Sequence, residues 1–192
     1  MNIHSDSEQM ATRVALHPFL AGMNRTQLAL LQDCAMTTRF KTGQTILREG
    51  EFANHFYLIE SGKVVLESGA GLGKPVVIET IGAGDLLGWS WMFPPYVWHF
   101  SARAIEPTVA IFFYGTILRE YCEKDHSLGY ELFKRMSAVM VKRLQAARGT
   151  MLAIHSKRAS LPPVVVESSF MDQELDTFPG SDNDSQFREG AD

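Results

Sequence analysis

Eight glycines between positions 43 and 84 cut the middle of this chain into short pieces. From Met36 to about Tyr114 the pieces read "TTRFKTG", "QTILREGE", "HFYLIESG", "KVVLES", "PVVIETIGAGD", "WHFSARAIE" and "TVAIFFYG". Each is rich in β-branched and aromatic residues and is bounded by a turn residue. Strands at this regular spacing predict a sandwich or small barrel. Gly43, Gly50 and Gly62 stand where tight turns need positive φ. Phe56, Leu58, Val64 and Leu66 are expected to point inward, by the alternation of a pleated strand.

Helical patterns flank this β region. Asn24 with Gln27 three residues later reads as a capping box opening a helix through Leu28, Leu30 and Leu31. Pro18 and Gly22 break the segment before it. After Thr116, a possible N-cap, comes a short helix. Asp125 or Ser127 then caps a long one, at about 126–156. Its stripe of Leu128, Leu132, Met136, Met140, Leu144, Ala147 and Met151 recurs at spacings of three and four, widened by Phe133 and Val139. About 28 helical residues span ~40 Å, more than one small barrel covers. The remainder predicts a partner helix, most simply from a second copy of the chain.

Residues 1–12 and 159–192 are expected to be disordered, leaving 13–158 as the folded unit. Eight of the 22 acidic side chains and one of the 18 basic ones lie from Ala159 onward, a net −7 there against +3 for residues 1–158. That sign opposes phosphate-backbone binding, so no DNA partner is expected. No apolar run approaches the roughly 20 residues of a membrane span, and the polar start is not a signal peptide. Cys34 and Cys122 are isolated, which fits a reducing cytoplasm. The six histidines are scattered and predict no metal site. "GAGLGKP" ends in Pro75 and is preceded by Ser68 where a phosphate loop needs Ser/Thr and Gly, and reads as a hairpin turn. No catalytic constellation is visible in the spacing, and no enzymatic role is expected.

In "GQTILREGEFANHFYLIESGKVVL", residues Gly43, Ile46, Gly50, Glu51, Ala53, Phe56, Tyr57, Ile59, Gly62 and Val64 follow a recognisable order. The stretch resembles the cyclic-nucleotide-binding domain family, which includes the catabolite activator protein and protein kinase A regulatory subunits. The resemblance covers about Leu16 to Ile154. It implies an α+β fold: a β jelly-roll barrel flanked by an N-terminal helix and a long C-terminal helix that often dimerises. The winged helix-turn-helix of the catabolite activator group is not expected in the 34 residues after Arg158, which are acidic.

The resemblance places the family's phosphate-binding cassette on "GDLLGWSWMFPPYVWHF", which holds all three tryptophans. Gly84, Asp85 and Gly88 match its start. Trp89 stands where the family has a ribose-binding Glu. The phosphate-binding Arg falls on Trp98, with Val97 the adjacent alternative. Losing that Arg weakens binding of cyclic AMP or cyclic GMP roughly 10- to 150-fold, since a hydrogen bond to a charged group is worth 1.5–3 kcal/mol. Ser90, His99 and Ser101 are the remaining polar candidates. Arg103, the nearest full cation, is expected to face away from Trp98 and to make a salt bridge.

Three readings of the tryptophans follow. They plug the empty phosphate pocket, they line a pocket for a flat or apolar ligand, or they leave a weak nucleotide site. The expected function is a regulatory sensor with a degenerate cassette, in which binding reorients the dimer helix. The alternatives are a ligand-free module that docks a protein partner through a closed pocket, and a binder of an apolar non-nucleotide ligand.

Overall fold

The computed structural model describes residues 3–69 and 75–159. Eight strands form two four-stranded antiparallel sheets. They are β1 (Ala35–Phe40), β2 (Thr45–Leu47), β3 (His55–Ser61), β4 (Lys63–Ser68), β5 (Val76–Gly82), β6 (Leu86–Leu87), β7 (Ser101–Ala104) and β8 (Thr108–Tyr114). One sheet runs β1-β8-β3-β6 and the other β2-β7-β4-β5. The sheets do not close on each other, so the jelly roll is a sandwich rather than a sealed barrel. Helices α1 (Ile3–Leu16), α2 (Arg25–Asp33), α3 (Gly115–Lys124) and α4 (His126–Ala159) flank it. Among the described residues no helix is long and apolar enough to cross a membrane.

Gly62 makes the corner between the two sheets. It separates the end of β3 from the start of β4 at φ +89°, and a β-carbon there would stand 2.4 Å from the Pro107 carbonyl oxygen. No side chain fits such a turn without moving backbone. β4 and β5 pair antiparallel from Lys63↔Gly82 to Ser68↔Val76; the turn expected over "GAGLGKP" lies largely outside the described residues.

Two apolar cores result. One lies between the sheets and holds Tyr57, Ile59, Val64, Leu66, Leu87 and Trp98. The other lies between the β1-β8-β3-β6 sheet and the helices, and holds Phe56, Leu58, Trp91, Phe113, Leu118, Leu128, Leu132 and Met136. This corrects the inward assignment on β3. Phe56 and Leu58 face the helices, and Tyr57 and Ile59 face the opposite sheet. Residues 56–59 are all buried, because β3 has a packed layer on each face.

The helices are placed by local chemistry. Asn24 Oδ1 accepts from the Gln27 N–H, and Gln27 Oε1 accepts from the Asn24 N–H, completing the capping box of α2. Asp125 caps α4, its Oδ1 accepting from the N–H groups of Ser127 and Leu128. Thr116 is not a cap: α3 starts at Gly115 after Tyr114, with no side-chain bond. Gly115 is required because a β-carbon would meet the Trp91 ring at 2.9 Å. Leu128, Leu132 and Met136 of α4 are fully buried, worth about 1.5–3 kcal/mol each.

The expected disorder over 1–12 is corrected as well, since Ile3–Leu16 form α1. Val14 is fully buried against the helical core. Arg13 grips Glu60 of β3 through Nε and Nη2, and its Nη1 donates to Thr37 Oγ1 of β1. These contacts hold a helix whose own apolar periodicity is weak. The tail predicted over 159–192 falls outside the described residues, apart from Ala159, which ends α4.

Candidate functional site

The cassette segment begins as a turn built by its own side chains. Asp85 Oδ2 accepts from the Gly82 N–H at 2.9 Å, while the Asp85 N–H donates back to the Gly82 carbonyl at 3.0 Å. Gly84 has φ +88° and packs on the Pro18 ring. After β6, Gly88 turns the chain at φ +91°, and residues Trp89–Met92 form a single 3-10 turn. The Pro94–Pro95 peptide is cis, and Tyr96 follows with φ +57°. This irregular loop sends the three tryptophans to three places.

Trp91 enters the helical core, fully buried and stacked on Phe56 at 5.2 Å. Trp98 enters the inter-sheet core with only 4% of its surface exposed. Its backbone pairs with Glu51 and Gly50, and its ring lies edge-on to His55 at 5.2 Å. Burial pushes the His55 imidazole below its ordinary pKa, so it presents a neutral ring there. Trp89 stays half-buried, stacked on His99 at 4.9 Å and edge-on to Phe93 at 6.1 Å.

Gly88, Trp89, Ser90, Trp98 and His99 do come together. They line a cavity of about 20 Å³, with Leu47, Leu66, Leu87, Phe100 and Arg143. That is room for little more than a water molecule. Within it Ser90 Oγ and His99 Nδ1 share a hydrogen bond at 2.9 Å. The 3-10 turn is too short to present a helix terminus to an anion.

The other sequence candidates sit elsewhere. Gly84 and Asp85 face a separate cleft of about 300 Å³ against Pro18 and α4, with Lys142 Nζ 3.6 Å from Asp85. Ser101 Oγ accepts from the Glu49 N–H, fixing a turn. Arg103 faces out of β7, as the alternation predicts, and is paired with Glu67 of β4.

Sequence reasoning missed Arg143. It reaches from α4 to the cassette, where Nη2 donates to the Leu86 carbonyl and Nε lies 3.2 Å from Glu79 Oε2 of β5. That ion pair falls short of hydrogen-bond alignment. Burial lowers the Arg143 pKa, opposed by the Glu79 and Asp85 carboxylates. A signal existed in the helical spacing, because Arg143 follows Met136 and Met140 on the side of α4 that meets the sheet. A third and larger cavity, about 520 Å³, opens beside it between α4, β5 and the 3-10 turn.

Two four-stranded sheets flanked by helices, with a long C-terminal helix, define the jelly-roll fold of cyclic nucleotide-binding domains. Residues 37–125, a little under half of the chain, match the cyclic nucleotide-binding domain. The cAMP-dependent protein kinase regulatory subunit of Schizosaccharomyces pombe is 32% identical over 72 residues, which is 37% of this chain and 16% of that protein's length. A candidate cyclic nucleotide-binding protein of Geobacter metallireducens GS-15 superposes with a TM-score of 0.64 at 27% identity, over 70% of this chain and 97% of its own. The regulatory subunit of a cAMP-independent protein kinase A from Trypanosoma brucei shares the fold, with a TM-score of 0.60 at 18% identity, over 79% of this chain and 52% of that one.

Proposed function

We propose that this is a non-enzymatic regulatory module of the cyclic nucleotide-binding family whose nucleotide cassette is closed, and that it acts through α4 in a homodimer. One observation supports the reading: Trp98, which the resemblance puts where the family has its phosphate-binding Arg, is buried in the inter-sheet core, and the cavity beside it holds only about 20 Å³. A cyclic phosphate diester carries a permanent negative charge and needs a cation with donors in fork geometry. Arg103 is committed to Glu67 and faces away. The cAMP-independent relative from Trypanosoma brucei supports the idea that the fold serves regulation without cyclic AMP.

The dimer rests on α4. Phe133, Val141, Leu144, Met151 and Leu152 are each half or more exposed along it. A run of apolar side chains on one long helix is a typical interaction surface. The decisive experiment is calorimetric titration of the full chain with cyclic AMP and cyclic GMP. No heat and no thermal shift at millimolar nucleotide is expected. Micromolar binding of either nucleotide overturns the reading.

A further inference from the structure

We propose that the cleft between α4 and β5 binds an amphipathic organic anion, a hydrophobic carboxylic acid whose carboxylate replaces Glu79 as the partner of Arg143. The inference rests on the closed-cassette reading and names the ligand class that would take the nucleotide's place. The cleft holds about 520 Å³, within the 300–1,000 Å³ usual for small-molecule sites. Trp89, Phe93, Phe100, Phe133 and Met140 supply apolar and aromatic walls, with Val141 and Leu144 at the rim, so in the proposed dimer the partner helix would roof the bound ligand. Trp89, Phe93 and Phe133 form a chain of ring contacts at 6.1 and 5.9 Å, a surface suited to a flat or branched apolar body.

Glu79 and Arg143 are the charged groups of the lining. Their side chains are only 19% and 12% exposed. Arg143 spends Nη2 on the Leu86 carbonyl and meets Glu79 without hydrogen-bond alignment. A planar guanidinium in that state has donors to offer a second carboxylate, which it can hold side-on with two parallel bonds. A phosphate dianion would lose far more hydration against these walls than a carboxylate does. Exchange of partners also gives a physical consequence. Glu79 belongs to β5 and Arg143 to α4, so a ligand that takes Arg143 releases the one ion pair joining them among the described residues.

Fluorescence titration of the full chain tests this with three probes. Anilinonaphthalene sulfonate is the aromatic anion, N-phenylnaphthylamine its neutral counterpart, and decanoate the competing carboxylic acid. One molecule of the sulfonate per chain is expected, displaced by decanoate. Arg143→Gln should weaken both anions roughly ten- to hundredfold, the worth of a charge-assisted hydrogen bond. Unchanged binding of the neutral probe to that variant shows that the cleft is still folded. If it does not fold, Glu79→Gln/Arg143→Gln, which leaves no unpaired charge, takes its place. Glu79→Gln alone should tighten the anions by removing their competitor, a result that a purely structural ion pair would not give.

Equal loss of neutral and anionic probes, indifference to either substitution, or a cleft that binds no probe because a second copy covers it, overturns the proposal. Those outcomes leave the closed cassette standing. Displacement of the sulfonate by cyclic AMP sinks the closed-cassette reading itself.

Discussion

The Trp98 ring lies against Gly88, so closely that a β-carbon on residue 88 would stand 3.0 Å from it. Gly88 also holds φ +91°, a conformation that side-chain-bearing residues adopt only at a cost. The glycine turn therefore serves the tryptophan in this chain. Gly88→Ala should cost about 1–3 kcal/mol for backbone strain, and Trp98→Ala about 3–5 kcal/mol for the emptied core. In the double variant the contact is gone but the strain remains. Urea unfolding should then show a total smaller than the sum by about 1 kcal/mol, as for residues in contact. Full additivity would mean that the ring and the turn are independent.

Restoring the family's charges is the complementary test. Trp89→Glu/Trp98→Arg places a cation in the inter-sheet core, where an unpaired charge is strongly destabilising. The variant should melt well below the wild type. Millimolar cyclic AMP should then raise its melting temperature, because a ligand that binds only the folded state adds about 2.7 kcal/mol at 100 times its Kd. The wild type should not shift. A variant that folds yet ignores the nucleotide would show that Trp98 is not the group closing the site.

Acid should weaken the fold through His17. Its Nδ1 accepts from the Phe19 N–H, so Nε2 carries the proton and donates to the Ile59 carbonyl at 3.2 Å. The ring is buried and neutral. Burial lowers its pKa, against smaller opposing contributions from Ile59, Glu60 and Asp85. The unfolded chain therefore binds a proton more readily than the folded one. Stability is present above the unfolded value of about 6.5 and is lost as pH falls through it toward the folded value. His55, lowered by burial alone, adds in the same direction. The urea midpoint should drop between pH 7.5 and 5.5. His17→Gln should lower the midpoint at pH 7.5 and flatten the dependence. An unchanged slope would assign the effect to other groups.

What the sequence made legible was local. The Asn24–Gln27 capping box spans four residues, and a corner such as Gly62 admits one residue type, so both can be read without tertiary knowledge. The facing of β3 could not be read that way. Alternation disappears when both faces of a strand are covered, and "FYLI" is apolar throughout. α1 was hidden because its weak periodicity is held by tertiary contacts, Val14 in the core and Arg13 on Glu60. Motif resemblance could place an expected cassette on this stretch, but the separate fates of Trp89, Trp91 and Trp98 depend on the turn at Gly88 and the irregular loop after it. Arg143 escaped because its place in the cleft comes from how α4 lies across β5.

Leu144 isolates the role of α4 in assembly. It is 71% exposed in the single chain, so replacing it should leave the fold's own stability nearly unchanged, as for surface sites in general. In a dimer along α4 the same side chain is buried against a partner helix. Leu144→Glu would then place like charges opposite each other inside an apolar seam. The wild type should run at twice the chain mass by light scattering at micromolar concentration, and Leu144→Glu should run as a monomer with an unaltered far-ultraviolet spectrum. A wild type already monomeric at those concentrations removes the dimer from the proposed function. A dimer that persists in the variant places the contact elsewhere on the molecule.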